Sequence, residues 1–273
     1  MLDPSKDQEA LAWQTGVWDR MSDVYVREID RRFAPVVESV IRRADLLGGE
    51  DVLDLGTGTG AVAQRAASIV GPSGSVVGVD ISPEMLARAR RHALDAGLAN
   101  LTFRDGRAES IPAGNAAFDV VLASLSMMYV PNLDAAAREI ARVLKPGGRF
   151  VAAVWASAEE CDIVLFQQTA GRFVGPPPVP GVGPGALAEL SGFLQLLDAA
   201  GIPSRVERET LGFEFPDFTS AWDTWAGVTA AELSPEREQE AKDAVIALMY
   251  PSGDAPRHFR NVTQFILGRL RAA

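Results

Sequence analysis

Residues 51–60 read Asp51-Val52-Leu53-Asp54-Leu55-Gly56-Thr57-Gly58-Thr59-Gly60, an apolar run carrying an acid, then three glycines alternating with threonine. Glycine at 56 and 58 lets a ligand lie against the main chain where a side chain would collide. The amides of a helix beginning near Ala61 face the same crevice, as helix N-termini do toward anions. Read as Gly56-x-Gly58-x-x-Ala61, the spacing also satisfies the dinucleotide fingerprint loosely, which suggests an NAD(P)-dependent oxidoreductase.

Asp54 argues for a different ligand. A pyrophosphate-binding turn has little use for an adjacent carboxylate, whereas a ligand with a cationic amino group, such as S-adenosylmethionine, does. Asp80 closes a second apolar run, Ser75-Val76-Val77-Gly78-Val79-Asp80. In a doubly wound sheet the ends of neighbouring strands face one crevice at the topological switch point. A carboxylate there accepts from both hydroxyls of a ribose, and both candidate cofactors carry one. The alternative is that Asp80 serves the helix beginning at Ser82-Pro83-Glu84, where Ser82 caps, Pro83 is preset for the first turn and Glu84 suits the dipole.

These residues need elements to hold them. Residues 11–47 read as helix, broken near Pro35 and ended by Gly48-Gly49. Strands are expected at 51–55, 75–80, 101–103, 118–123 and 149–154, with a helix at about 133–144 that stops at Lys145-Pro146-Gly147-Gly148. Alternation of strand and helix implies right-handed crossovers and an α/β, doubly wound, mostly parallel sheet. Beyond it, Gly175 to Gly185 is rich in proline and glycine and carries no regular structure. A helix at 186–200, a strand at 204–215, a helix bearing Trp222 and Trp225, another opened by Ser234-Pro235-Glu236 and a last strand at 262–270 complete the chain. The expected organisation is an N-terminal helical lid (1–47), a core (48–215), a helical insertion that lids a pocket (216–258) and a last core strand (259–273).

Composition narrows the function. The 273 residues include 36 Asp+Glu against 26 Lys+Arg, a net charge of −10, which argues against a nucleic-acid substrate. One cysteine, Cys161, excludes an internal disulfide and a thiolate-rich zinc site and fits a cytoplasmic setting. No His/Cys/carboxylate cluster has metal-ligand spacing, so no metal is expected. The acidic, polar start Met1-Leu2-Asp3-Pro4 is unlike a signal peptide, and no apolar run approaches the roughly 18 residues of a membrane span.

Five segments occur in one order: Val52 to Gly60, Val79-Asp80-Ile81-Ser82, Gly106-Arg107-Ala108-Glu109-Ser110-Ile111-Pro112, Phe118-Asp119-Val120-Val121 and Leu144-Lys145-Pro146-Gly147-Gly148-Arg149. Together they resemble class I S-adenosylmethionine-dependent methyltransferases, in the branch similar to ubiquinone/menaquinone-biosynthesis enzymes. The resemblance covers about residues 15–155. It implies a Rossmann-like sheet of seven strands and S-adenosylmethionine as cofactor, with S-adenosylhomocysteine as product. It places Gly56, Thr57 and Gly58 against the methionine part and ribose, and Asp54 near the amino group. Asp80 takes the ribose hydroxyls, with Ile81 and Met85 beside the adenine. Gly106-Arg107-Ala108-Glu109 matches the adenine-edge segment, in which relatives often carry an acid where Arg107 stands. A guanidinium cannot accept a hydrogen bond, so Asp105 or a backbone carbonyl serves, Arg107 stacks on the ring, or Arg107 is a solvated surface residue. Ser124 matches the position facing the reactive sulfonium, and Tyr25 the helix aromatic that closes over the cofactor.

Methyl transfer asks little more of the protein than alignment and dryness, with a general base only where the acceptor has a proton to lose. Candidate pocket residues are Met127, Met128, Tyr129, Trp222 and Trp225, with Tyr129 and His258 the candidates for a catalytic role. His92, among Arg88, Arg90 and Arg91, reads as part of a solvated face. The expected acceptor is a small, apolar or neutral organic molecule of natural-product or quinone type, a quinone-biosynthesis C-methyltransferase being the nearest variant. A cofactor-binding cyclase that uses the sulfonium as a fixed charge is a further alternative.

Asp80 carries most of this reading. If it accepts from both ribose hydroxyls, Asp80→Ala should weaken S-adenosylhomocysteine binding by about 2–4 kcal/mol, roughly 30- to 1000-fold. If it only serves the helix start, stability should fall by about 1 kcal/mol and affinity should hold. Calorimetric affinity and the ligand-free melting temperature together separate the two outcomes.

Overall fold

The computed structural model describes residues 4–175, 178–230 and 233–272. Met1, Leu2 and Asp3 of the acidic start, Pro176 and Pro177 of the Pro/Gly-rich connection, and Ala231 and Glu232 of the insertion lie outside the described residues. The chain opens with α1 (Pro4–Val24), a single π-helical turn (Tyr25–Ile29) and α2 (Asp30–Ala44). The core follows as β1 (Asp51–Leu55), α3 (Ala61–Val70), β2 (Ser75–Asp80), α4 (Pro83–Asp95), β3 (Leu101–Asp105), β4 (Phe118–Ser124), α5 (Leu133–Val143) and β5 (Leu144–Trp155). Then come α6 (Asp162–Gly171), α7 (Ser191–Ala199), β6 (Ser204–Phe215), α8 (Phe218–Thr229), α9 (Pro235–Met249) and β7 (Arg257–Arg269). Among the described residues no helix is long and apolar enough to cross a membrane.

The seven strands form one sheet in the order β3-β2-β1-β4-β5-β7-β6. Pairings among β1 to β5 are parallel, and β7 runs antiparallel to both β5 and β6. This is the doubly wound, mostly parallel sheet expected from the alternation of elements. Progression from β1 to β3 moves toward one edge and from β4 to β5 toward the other. Right-handed crossovers therefore set α3 and α4 on one face and α5 on the opposite one. The reversal falls between β1 and β4, where the carboxyl ends of the strands part into a crevice. The central strands are buried on both faces, so Val52, Leu53, Val76, Val120, Val121 and Leu122 form a continuous apolar layer rather than an alternating one.

Several boundaries differ from the sequence expectation. Pro35 lies inside α2 without ending it, and the interruption of the N-terminal helix is the π turn ten residues earlier. Its C-terminus is closed by Asp45 in the left-handed conformation (φ 48°), not by glycine; the short polar side chain of aspartate tolerates that region. Lys145 to Gly148 is not a free turn but part of β5, bulged so that Phe118 pairs with Leu144 and Val120 with Arg149. The helix expected at 186–200 begins only at Ser191. The apolar run Ile163-Val164-Leu165-Phe166, to which no element was assigned, lies in α6; consecutive apolar residues carry no helical period to read. Finally, β7 starts at Arg257 and takes in His258.

The N-terminal helices are tied to the sheet by Arg149, a β5 residue that is 16% exposed at its side chain. Its Nε donates to the carbonyl of Ala44 and one terminal nitrogen to that of Asp45, so it satisfies orphan carbonyls at the end of α2. The guanidinium also forms a bidentate pair with Glu50 (2.7 and 2.8 Å). Nearby Arg43 stacks on Phe265 of β7, 3.9 Å from the ring centre, and pairs with Glu207 and Glu209 of β6. Arg149→Ala should cost about 2–3 kcal/mol by stranding two carbonyls and a half-buried carboxylate. The melting temperature should then fall by roughly 4–10 °C. An unchanged melting temperature would show that this anchor contributes nothing.

Candidate functional site

The crevice at the switch point is a deep cleft walled by the strand ends, the glycine turn and the N-terminal helices. Its shape starts with the turn between β1 and α3. The amides of Gly56 and Thr57 both donate to the carbonyl of Val79 (2.8 and 2.9 Å), which fastens the turn to β2. Gly56, Gly58 and Gly60 all take positive φ (72°, 53° and 86°), a conformation that costs side-chain-bearing residues about 1–2 kcal/mol each. Their surroundings differ. A Cβ on Gly56 would lie 2.4 Å from Cβ of Ser126, whereas one on Gly58 meets nothing within 4 Å. Gly56 is thus required by packing, and Gly58 faces the open cleft.

Three carboxylates face this turn. Asp54, 1% exposed, accepts from the hydroxyl of Thr57 (2.7 Å) and from the amide of Ala63. Burial pushes its carboxyl up to about 7, against those hydrogen bonds, and the neighbouring Asp80 charge adds to the rise. Asp80 accepts from the amide of Gly58 (2.8 Å) on one oxygen and from that of Ser82 (2.9 Å) on the other. Burial raises its carboxyl too, with the backbone amides of Ser82, Gly58 and Ile81 pulling it back. Ser82 caps α4 by accepting from the amide of Met85 (3.1 Å), so the helix start does not depend on Asp80 alone. The third, Asp30 at the start of α2, accepts from Thr59 (2.8 Å) and is also raised by burial. The sole cation on the described wall is Arg107, and it pairs with Glu109 (3.2 Å).

Most residues singled out in the sequence converge here. Tyr25, Asp54, Gly56, Thr57, Gly58, Asp80, Ile81, Met85, Gly106, Arg107, Ala108, Glu109, Ser124, Met127 and Tyr129 all stand on the wall of the cleft. Arg107 is not a solvated surface residue, its side chain being 25% exposed. Asp105, offered as a substitute acceptor, is exposed at the end of β3 and off the wall. His258 lies on β7 opposite the edge strand β6, its side chain 60% exposed and 3.8 Å from Glu214, so it does not face the pocket. Trp222 is also displaced from the pocket. Its indole N–H donates to Glu238 (3.2 Å) and its ring packs on Phe166 and Phe218, where it holds α8 against α6 and α9. His92 is half-buried, with Nδ1 3.3 Å from the carbonyl of Thr59, rather than part of a solvated face. Cys161, buried and donating to the carbonyl of Val262, has its thiol pushed up to about 11 by burial and is structural.

A second, inner chamber shares Trp18, Tyr25, Phe33, Leu125 and Tyr129 with the cleft and continues to Met128, Trp155, Ile163, Gln167 and Trp225. Phe33 stacks on Trp225 (5.8 Å, 23°) and meets Trp155 edge-on (5.5 Å). Trp18 meets Tyr129 edge-on at 4.8 Å. Burial raises the hydroxyls of both tyrosines above their usual range, so they remain protonated near neutrality. Leu125 takes a positive φ (55°), a strained non-glycine residue on the wall of both spaces.

Sequence reasoning missed Gln14, Trp18, Asp30, Phe33 and Thr59. A helical face carried part of the signal, because Gln14, Trp18 and Tyr25 are spaced by four and seven. Gln14 donates to the carbonyl of Tyr129 (2.7 Å), and Asp19 accepts from Ser82 (2.5 Å), which closes α1 over the cleft. Asp30 and Phe33 were hidden by the π turn, which shifts the phase of the helix before them.

Substitution at the two glycines should separate packing from binding. Gly56→Ala should destabilise the protein by more than about 2 kcal/mol through collision with Ser126 and backbone strain. Gly58→Ala should cost only about 1–2 kcal/mol while placing a methyl in the cleft. Equal losses of melting temperature in the two variants would contradict this distinction.

A family model described as a methyltransferase domain matches residues 46–170. The chain is 41% identical over 135 residues to nocamycin O-methyltransferase of Saccharothrix syringae, covering 49% of this chain and 48% of that protein. It is 36% identical over 135 residues to a ubiquinone/menaquinone biosynthesis C-methyltransferase of Hahella chejuensis (49% and 53%). The chain therefore spans about half the length of the curated relatives it matches. The fold is similar to that of the YcgJ protein of Bacillus subtilis, with a TM-score of 0.63 at 23% identity over 87% of this chain and 98% of that one. The oxidoreductase reading of the glycine turn finds no support among these relatives. Residues 46–170 thus match a methyltransferase domain, over the stretch where the order of the motifs led us to expect a class I, S-adenosylmethionine-dependent methyltransferase.

Proposed function

We propose that the protein transfers a methyl group from S-adenosylmethionine to a small, largely apolar organic acceptor and releases S-adenosylhomocysteine. The observation that carries this reading is Asp54, a buried carboxylate on the cleft wall with no cationic partner among the described residues. Such a group is costly unless a positive charge comes to it, and the amino group of the cofactor supplies one. Asp80 retains acceptor capacity beyond its two backbone amides, which suits ribose hydroxyls. Gly58 leaves the space above the turn free. Arg107 and Glu109, paired on the wall, suit the adenine edge, the carboxylate accepting where the guanidinium cannot.

When bound, the sulfonium supplies a methyl group already activated for transfer. The residues of this chain hold the acceptor in line behind it and keep water out. In that reading residues 1–47 and 216–258 act as lids on a core of 48–215, and the strand at 259–273 completes the sheet. Tyr129 and Tyr25, held protonated by burial, donate hydrogen bonds rather than remove protons. An acceptor with a readily lost or already absent proton fits such a site best. The net charge of −10 and the aromatic chamber favour a small apolar molecule over a nucleic acid.

The raised Asp54 carboxyl gives a pH test. An ammonium partner favours the charged carboxylate, so binding drives proton release wherever the free protein holds Asp54 protonated. Affinity for S-adenosylhomocysteine is therefore full above about pH 7 and falls as pH drops below it, by roughly 5- to 10-fold between pH 7.5 and 6. Asp54→Asn should weaken binding and flatten this dependence. Titration calorimetry across that range checks both, and an affinity independent of pH in the wild type would refute the assignment. Appearance of S-adenosylhomocysteine during turnover distinguishes methyl transfer from cofactor binding alone.

A further inference from the structure

The inner chamber contains one group that its apolar surroundings do not explain. Gln167, on α6, is 6% exposed, and its Oε1 is fully buried with no hydrogen-bond partner among the described residues. Leaving a carboxamide oxygen in this state is unfavourable relative to a hydrogen-bonded group. Other buried side-chain oxygens in the same condition, those of Thr169, Tyr250 and Thr263, are not on the wall of this chamber. Around Gln167 the wall is built of Trp18, Phe33, Trp155 and Trp225 with Met128 and Ile163, and it carries no charged side chain.

We infer that Gln167 is the specificity-determining residue of the acceptor site, and that the acceptor is a planar ring compound bearing a hydrogen-bond donor directed at Gln167 Oε1. This rests on the proposed methyl transfer for the identity of the chamber as the acceptor site, but the recognition chemistry stands on the chamber's own walls. Flat aromatic faces select a flat apolar body through stacked and edge-on contacts. The carboxamide oxygen is an acceptor, so the complementary group on the ligand is a hydroxyl or an N–H rather than a carbonyl, ether or carboxylate. Sites that pair a buried polar group with a ligand discriminate strongly against analogues lacking the partner, because the protein group is then left unsatisfied.

The chamber is closed in this structure, with free space of about 10 Å³, so a ring enters only as its lid elements move. The wall contributed by α1 is held by polar links that include Gln14 to the carbonyl of Tyr129, Asp19 to Ser82 and to the amide of Glu84, and Asp23 to Arg88. The π turn at Tyr25–Ile29 separates that wall from α2, which is fixed to the sheet. Outward movement of α1 enlarges the chamber without disturbing Gln167, which sits on a different element.

Trp18, Trp155 and Trp225 on the wall make the chamber its own reporter. The test uses 7-hydroxycoumarin and 7-methoxycoumarin, bicyclic planar probes that differ in one donor and accept energy from tryptophan emission. Titrations run at pH 6.5 on the wild type, Gln167→Leu and Gln167→Met. The wild type should bind the hydroxy probe about 5- to 10-fold more tightly than the methoxy probe, as one buried hydrogen bond warrants. Both variants should bind the two probes equally, with affinity for the methoxy probe retained and the melting temperature unchanged or raised. A wild type without preference, a preference that survives in both variants, or no binding of either probe would each overturn the inference. The dissociation constant for S-adenosylhomocysteine, read in parallel, should be the same in all three proteins. If that ligand fails to bind the wild type while the coumarins behave as expected, the methyl-transfer reading fails and the recognition role of Gln167 stands.

Discussion

Everything in this protein's site depends on keeping three carboxylates, Asp30, Asp54 and Asp80, charged or chargeable beside one glycine turn with almost no cationic company. The sole cation on the described wall already has Glu109. Neutral donors do the work instead: the hydroxyls of Thr57 and Thr59 and the amides of Gly58, Ser82 and Ala63. Each donor comes from the turn or from a helix start, so the same hydrogen bonds that stabilise the carboxylates also fix the backbone that a ligand must approach. Charge placement and loop shape are therefore one problem with one solution. The raised carboxyl of Asp54 is the part of that problem that these neutral donors leave unsolved.

The second constraint is dryness. α1 is fastened across the cleft by a few polar contacts to Tyr129, Ser82 and Arg88, whereas α2 is held by the bidentate Arg149–Glu50 pair and by Arg43 on Phe265. The π turn lies between these two helices. Such turns recur at functional sites because they break the regular hydrogen-bond ladder without breaking the helix. Here the break puts Tyr25 and Phe33 on the same enclosed space, together with Trp18 from one side and Trp225 from the other. A wall made of aromatic rings excludes water through area rather than through charge.

The distribution of unexplained polar groups fits this division. The cleft carboxylates Asp30, Asp54 and Asp80 are paired with the turn and with helix starts, whereas the aromatic chamber holds the amide oxygen of Gln167 without a hydrogen-bond partner among the described residues. A core that could have been filled by an apolar side chain at position 167 carries a carboxamide at an energetic cost. Ile163, one turn earlier on the same face of α6, is buried and apolar.

Legibility of the site followed the range of the interactions involved. The glycine turn, Asp54, Asp80 and the segment Gly106 to Glu109 could be read because each depends on local geometry: positive φ, a strand end, a helix start. The doubly wound, mostly parallel sheet and its switch point followed from alternation of strand and helix and from the handedness of crossovers, which the backbone dictates. Errors arose where tertiary contacts decide. Asp45 rather than glycine closes α2, because Arg149 satisfies the carbonyls that a glycine motif would otherwise serve. Trp222 and Trp225, three residues apart and alike in pattern, part company because Glu238 and Phe166 draw one into the helical insertion while Phe33 stacks on the other. His258 could face a pocket or solvent until pairing with the edge strand put it outside. The sequence by itself determined the glycine turn and its carboxylates Asp54 and Asp80, since these parts of the cleft are local and polar. Only the tertiary structure decided the chamber, since apolar side chains carry no directional label and their partners are chosen by packing across elements far apart in the chain.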